Sequence, residues 1–223
     1  MPISDRVAEA RDRIAAARAR GGHEQTVTLI AVTKTHGAEA VHAAYEAGIH
    51  DVGENRVQEA EAKMAAVAVP VRWHLIGHLQ RNKAKPAARF DLVHGMDSVR
   101  LAEALNDAAL VATRPLDVLV QVNVSGEASK SGLPPDEIPA MAALLHQCTA
   151  LRVRGVMTMA PFDAPESVLR AVFGGARSVR TQLQEAGHPA EWLSMGMSGD
   201  YEIAVEEGAT HVRLGTMLFG SRT

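Results

Sequence analysis

Eight short runs rich in apolar and β-branched residues recur along this chain, each separated from the next by a helix-forming stretch, and that alternation limits the fold more than any other feature. The runs are residues 27–33, 49–52, 71–76, 91–94, 116–124, 151–157, 191–195 and 210–214. Helices are expected over 3–20, in the alanine-rich segment closing at Gly48, and over 55–67, 79–88, 98–111, 135–148, 165–186 and 199–207. Val27 to Thr33 (VTLIAVT) is nearly continuous in apolar residues, the pattern of a strand covered on both faces. Strands alternating with helices imply a parallel sheet, and eight of them without a hairpin favour closure. The expected fold class is α/β, a single (β/α)8 TIM barrel. The first helix, stopped by Gly21-Gly22, is an addition that covers one barrel end or flank. No linker or composition shift divides the chain, so residues 1–223 are expected to form one domain.

At 223 residues the chain lies near the lower end of the size range for such a barrel. Apolar residues make up 47% and charged residues 22%, which favours a globular class and excludes a disordered one. A net charge of −3 leaves no basic footprint for nucleic acid or an anionic membrane, so small molecules are the expected partners. Cys148 stands alone, which excludes an intramolecular disulfide and a thiolate metal cluster and fits a reducing compartment. The N-terminus alternates charge with alanine, and no later run approaches a membrane span. A cytoplasmic monomer is expected.

Barrels of this kind carry their chemistry at the C-terminal ends of the strands, often with a phosphate cradle after strands seven and eight. Lys34 is the only lysine directly at the end of a buried strand, where a lowered dielectric favours the neutral amine and Schiff-base chemistry; the alternative is a lysine snorkelling at the rim. The segment SMGMSGD (194–200) offers two hydroxyls, Ser194 and Ser198, ahead of a helix, and RLGT (213–216) adds Gly215 and Thr216. Each segment alone also reads as an ordinary turn, but the pair repeats the phosphate site this architecture uses. Arg213, between Val212 and Leu214, faces opposite to both and into the barrel mouth, unless it makes a rim salt bridge. Asn55 opens a helix and also reads as its cap, while His74 and His78 also read as satisfied or surface residues. The spacing of His36, His74, His78 and His94 matches no tight metal-ligand motif, so no metal is expected.

Together, AVTKT (31–35), VGENRVQE (52–59), WHLIGHLQRNK (73–83), QVNVSGEASKSG (121–132), RGVMTMAP (154–161) and LSMGMSGDYEIAVEEGATHVRLGTMLFG (193–220) resemble the recurring motifs of the pyridoxal phosphate homeostasis protein family. The barrel of that family is similar to the N-terminal domain of bacterial alanine racemase. The resemblance runs nearly end to end. It implies a pyridoxal 5′-phosphate cofactor on Lys34 as a Schiff base, with Ser194, Gly215 and Thr216 around the phosphate, Arg213 facing the pyridine nitrogen, and Asn55 and His74 along the ring. It departs from the family at His36, where members often have a further lysine. It further implies a non-enzymatic protein that buffers or delivers the cofactor, with recipient apo-enzymes as partners, and influences amino- and keto-acid balance.

The competing enzyme reading is a weak pyridoxal-phosphate-dependent amino-acid racemase. Alanine racemase adds a β-rich domain and a catalytic tyrosine, whereas the tyrosines here, Tyr45 and Tyr201, lie in expected helices with no obvious claim to that role. A third reading, a phosphate-binding isomerase without cofactor, leaves Lys34 without a task.

Overall fold

Each of the eight apolar runs becomes a strand because its outward residues can pack under helices while its inward ones fill a closed interior. The computed structural model describes residues 1–127 and 130–220. Ala128 and Ser129 of the QVNVSGEASKSG segment, and the last three residues of the expected 1–223 domain, lie outside the described residues. The strands are β1 (Thr28–Val32), β2 (Asp51–Glu54), β3 (Arg72–Leu75), β4 (Leu92–Met96), β5 (Leu116–Gln121), β6 (Leu151–Met157), β7 (Trp192–Met197) and β8 (His211–Leu214). They pair in sequence order as one closed barrel, sealed where β1 meets β8 with Thr28 opposite His211 and Ile30 opposite Arg213. Every pairing is parallel.

The helices are α1 (Ile3–Gly21), α2 (Ala38–Glu46), α3 (Val57–Ala66), α4 (Ala84–Ala87), α5 (Val99–Val111), α6 (Ile138–Leu145), α7 (Glu166–Glu185), α8 (Tyr201–Glu206) and α9 (Thr216–Phe219). Between them and the strands lies the main apolar core, which includes Phe90, Leu105, Ile138, Phe173 and Leu183. The barrel interior is different. Leu92, Leu119 and Met157 form a small apolar cluster there, with Met159 and Trp192 packed against it, where such barrels usually stack layers of branched aliphatic side chains. Much of the remaining interior is polar, and that polarity forms the site.

The extra helix α1 flanks the barrel rather than closing an end. Val7, Ala10, Ile14 and Ala17 are its buried stripe, and Gly22 ends it at φ 69° with its N–H on Arg18 O. It lies against α8: an added Cβ on Gly21 would sit 2.5 Å from the Glu206 carbonyl oxygen, and Arg20 pairs with Glu206 at 2.6 Å.

Several boundaries differ from the sequence expectation, and three of them show the physical reason. The second strand is shifted, from the expected 49–52 to Asp51–Glu54. Gly53 fits because an added Cβ would meet Ile30 and Ile76 at 3.0 Å, and Glu54 is wholly buried against Lys63, a pairing no local pattern announces. The fifth strand stops at Gln121 rather than 124, because the chain leaves the sheet and returns to bridge Val122 with Leu133. The expected helix over 79–88 is a 3-10 turn, Arg81–Lys83, followed by the short α4, and α9 lies beyond the last expected element.

Candidate functional site

Along β1, side chains alternate between faces, so Ile30, Val32 and Lys34 share the inward face as the strand runs out of the barrel. Lys34 emerges partly buried at the C-terminal mouth. The next residue, Thr35, has φ 67°, a left-handed conformation that a β-branched residue rarely enters and that persists only where its surroundings over-determine it.

Arg213 comes from the neighbouring strand β8, in register with Ile30 of β1, and is 4% exposed. Its Nη1 donates to Ser194 Oγ at 2.7 Å and its Nη2 to the Thr158 carbonyl, just beyond β6, at 3.0 Å. The Ser194 hydroxyl lies 2.8 Å from His94 Nδ1, His94 Nε2 lies 3.0 Å from His74 Nδ1, and His74 Nε2 lies 2.9 Å from Asp51 Oδ1. Arg72 closes the series on Asp51 Oδ2 at 2.6 Å. A hydrogen-bonded chain thus crosses the interior from the mouth to the opposite end.

Its two ends dictate its polarity. A guanidinium only donates, so Ser194 accepts from Arg213 and has one proton left to give, to His94 Nδ1. His94 therefore carries its proton on Nε2 and donates to His74, and His74 donates from Nε2 to a carboxylate that only accepts. From Arg213 through His74 every donor points toward Asp51, which Arg72 meets from the other side. Burial, then the nearby His74, Arg213 and His211, hold His94 well below the usual histidine range. Burial lowers His211 to about 3. Burial alone would raise the Asp51 carboxyl, but hydrogen bonds from His74 and Arg72 reverse this and leave it below its ordinary value. Arg213 is lowered by burial to about 10 and so stays charged at neutral pH.

The loops after β7 and β8 meet at the same mouth. Ser198 Oγ accepts weakly from the backbone N–H groups of Gly215, at 3.4 Å, and Met217, at 3.3 Å. Gly199 has open space where a Cβ would be. Asp200 ties the loop by accepting from Met197 N at 2.6 Å; burial raises its carboxyl, against hydrogen bonding and the charge of Arg213. These loops bring small residues together after β7 and β8, with the Gly215 and Met217 N–H groups held only weakly by the Ser198 hydroxyl.

Of the residues picked out from sequence, Lys34, Asn55, Arg213, Gly215 and Thr216 converge on the mouth. Asn55 is half-buried, with its backbone against Gly77, where an added Cβ would sit 2.3 Å from the Asn55 carbonyl oxygen. Ser194 and His74 lie deeper, inside the chain behind Arg213, and the hydroxyl that faces the 215–217 backbone is that of Ser198. Sequence reading missed Asp51 and the Thr158 carbonyl, and gave His94 no place in this chain. Parity was the available signal: Asp51, His74, His94, Ser194 and Arg213 all fall on inward positions. His78 is exposed and bonds Asp97 at 3.0 Å. Among the described residues, no group of three or more His, Cys, Asp or Glu is placed to hold a metal, and no helix is long and apolar enough to cross a membrane. Tyr45 packs edge-on to His50, just before β2 at the far end of the barrel, and Tyr201 is buried on α8 beside Arg13 of α1.

Residues 7–223 match the family described as alanine racemase, N-terminal domain. The chain is 44% identical to the pyridoxal phosphate homeostasis protein of Pseudomonas aeruginosa, covering 99% of this chain and 96% of the relative, and 39% identical to that of Escherichia coli strain K12, covering 99% and 97%. The structure of PipY from Synechococcus elongatus with pyridoxal phosphate bound superposes with a TM-score of 0.87 at 38% identity, covering 98% of this chain and all of that one. The alanine racemase of Streptomyces lavendulae shares the fold, with a TM-score of 0.75 at 21% identity over 58% of its length.

Proposed function

Because this chain belongs to the pyridoxal phosphate homeostasis protein family, we propose that it is a binding protein for pyridoxal 5′-phosphate that buffers or delivers the cofactor in the cytoplasm without turning over amino acids. The observation that carries the reading is the placement of a charged Arg213 at the inner wall of the mouth that Lys34 enters. Only two of the five guanidinium N–H donors have protein acceptors among the described residues.

The residues present fit the cofactor. Lys34 would hold it covalently through its amine, Arg213 would meet the pyridine nitrogen, and Gly215, Thr216 and Ser198 would surround the phosphate, with Asn55 beside the ring. Ser194 and His74 would act through Arg213. When bound, the cofactor supplies an electrophilic carbonyl carbon and an electron-withdrawing ring. Arg213 keeps its own proton, so it would offer a ring nitrogen a hydrogen bond rather than a proton, which would leave the ring a weaker electron sink. The chain behind Arg213 serves this by aiming an oxygen lone pair, not a proton, at the guanidinium.

Racemisation also needs a base on each face of the substrate, and the packing of Tyr45 on His50 and of Tyr201 beside Arg13 gives neither tyrosine that role. The partners in this account are pyridoxal 5′-phosphate and the apo-enzymes that accept it, with the protein acting as a monomer of one domain. Titrating cofactor-free protein with pyridoxal 5′-phosphate and with pyridoxal, followed by visible absorbance, tests it. The phosphorylated form should bind tightly and the other poorly. Equal binding would make the 198–199 and 215–217 loops ordinary turns, and amino-acid turnover on the order of 1 s⁻¹ or more would make the protein an enzyme.

A further inference from the structure

A second buried polar cluster stands behind Lys34, on the outer face of the barrel wall. In β2 the inward position is Asp51, so Glu54 points outward, beneath α3. On α3 the buried stripe is Val57, Ala60 and Lys63, which puts an ammonium where an apolar side chain would ordinarily cover the sheet. Lys63 Nζ pairs with Glu54 Oε1 at 2.5 Å and donates to the Thr33 carbonyl at 2.7 Å, while the Thr33 hydroxyl donates to the same Glu54 oxygen at 2.6 Å. Glu54 and Thr33 are wholly buried and Lys63 is 8% exposed.

This is a poor way to stabilise a barrel. An ion pair removed from water recovers its desolvation cost only when every remaining atom finds a partner, and Glu54 Oε2 is buried without one. The cluster does secure the backbone ahead of Lys34. Thr33 N donates to Gly53 O at 3.1 Å, and its carbonyl accepts from both Lys63 and, at 3.1 Å, His36 N. Thr33 is thereby fixed at its N–H, carbonyl and hydroxyl, and the left-handed Thr35 follows two residues later. With Thr33 held at three points, the turn over 33–36 that carries Lys34 has less freedom to move.

We propose that Lys63, Glu54 and Thr33 form a latch that positions Lys34 from behind and sets how long pyridoxal 5′-phosphate stays bound. The three are positioning residues; none faces the mouth. The latch rests on the reading of Lys34 as the attachment point. Loosening it lets the 33–36 turn relax away from the strained form and lowers the probability that the amine is aimed at the cofactor, so release accelerates while the phosphate loops and Arg213 are untouched.

The test compares wild type with Lys63→Met, with the neutral double variant Glu54→Gln/Lys63→Met, which leaves no buried charge uncompensated, and with Thr33→Val, which removes only the hydroxyl. Each is loaded with pyridoxal 5′-phosphate and diluted into a phosphatase that consumes the free cofactor, and loss of bound absorbance gives the release rate. Backbone hydrogen exchange over residues 33–37 of the unloaded proteins is the second readout. Release should quicken by about tenfold or more in Lys63→Met, as expected when hydrogen bonds to charged groups are lost, with faster exchange confined to that turn. If Lys63→Met does not fold, the double variant and Thr33→Val decide. Folded variants that release cofactor at the wild-type rate overturn the latch, even if they melt earlier. A wild type that retains no cofactor on Lys34 overturns the underlying reading, and the latch with it.

Discussion

Acid should unfold this protein earlier than its carboxylates alone require, because the barrel interior holds imidazoles neutral. His211 has an ordinary value of 6.5 and is lowered by burial to about 3, with its side chain turned inward on β8. The unfolded chain therefore takes up a proton that the folded protein refuses. A base with a depressed folded pKa costs no stability above 6.5 and progressively more as pH falls from 6.5 toward 3. The slope is about 1.4 kcal/mol per pH unit per group, so His211 alone removes about 2.5 kcal/mol between neutrality and roughly pH 4.5. His94 shifts in the same direction and steepens the loss. A domain this size has only about 5–15 kcal/mol to lose. Urea unfolding at a series of pH values, on wild type and His211→Gln, measures the term, since carboxylate contributions cancel in the difference. Wild type should lose about 2.5 kcal/mol more than the variant over that interval. Parallel curves would refute the reasoning.

Two other predictions follow from the interior. Ser194→Ala strips a buried donor from His94 and a buried acceptor from Arg213, so urea unfolding should show a destabilisation of roughly 2–4 kcal/mol together with weaker cofactor retention; retention unchanged would mean Arg213 does not depend on the chain. Gly155→Ala on β6 should lose at least about 3 kcal/mol or fail to fold, because its φ is 155° and the new Cβ would lie 1.9 Å from the Trp192 carbonyl oxygen; a normal melting curve would show that β6 and β7 can separate.

The barrel was legible in the sequence because strand and helix periods are local, and eight repeats leave little choice of topology. What was lost was lost where tertiary pairing overrides local pattern. Glu54 reads as the start of a loop until Lys63, nine residues later, is seen to neutralise it within the wall. At the mouth, the position of Lys34, Gly215 and Thr216 just after strand ends was legible in the sequence. The interior chain was not. Asp51, His74, His94 and Ser194 come from four strands, and only the barrel's register brings them into line. The sequence points to Ser194 for the phosphate, but strand β7 continues to Met197, which leaves that hydroxyl inside and Ser198 on the loop.

The central claim is that Lys34 holds pyridoxal 5′-phosphate, and reduction of the loaded protein with borohydride followed by peptide mass mapping tests it most directly. One pyridoxyl group per chain is expected, on Lys34, and none in Lys34→Ala. A label placed mainly on Lys83, Lys85 or Lys130, or absent from a protein saturated with cofactor, would contradict it.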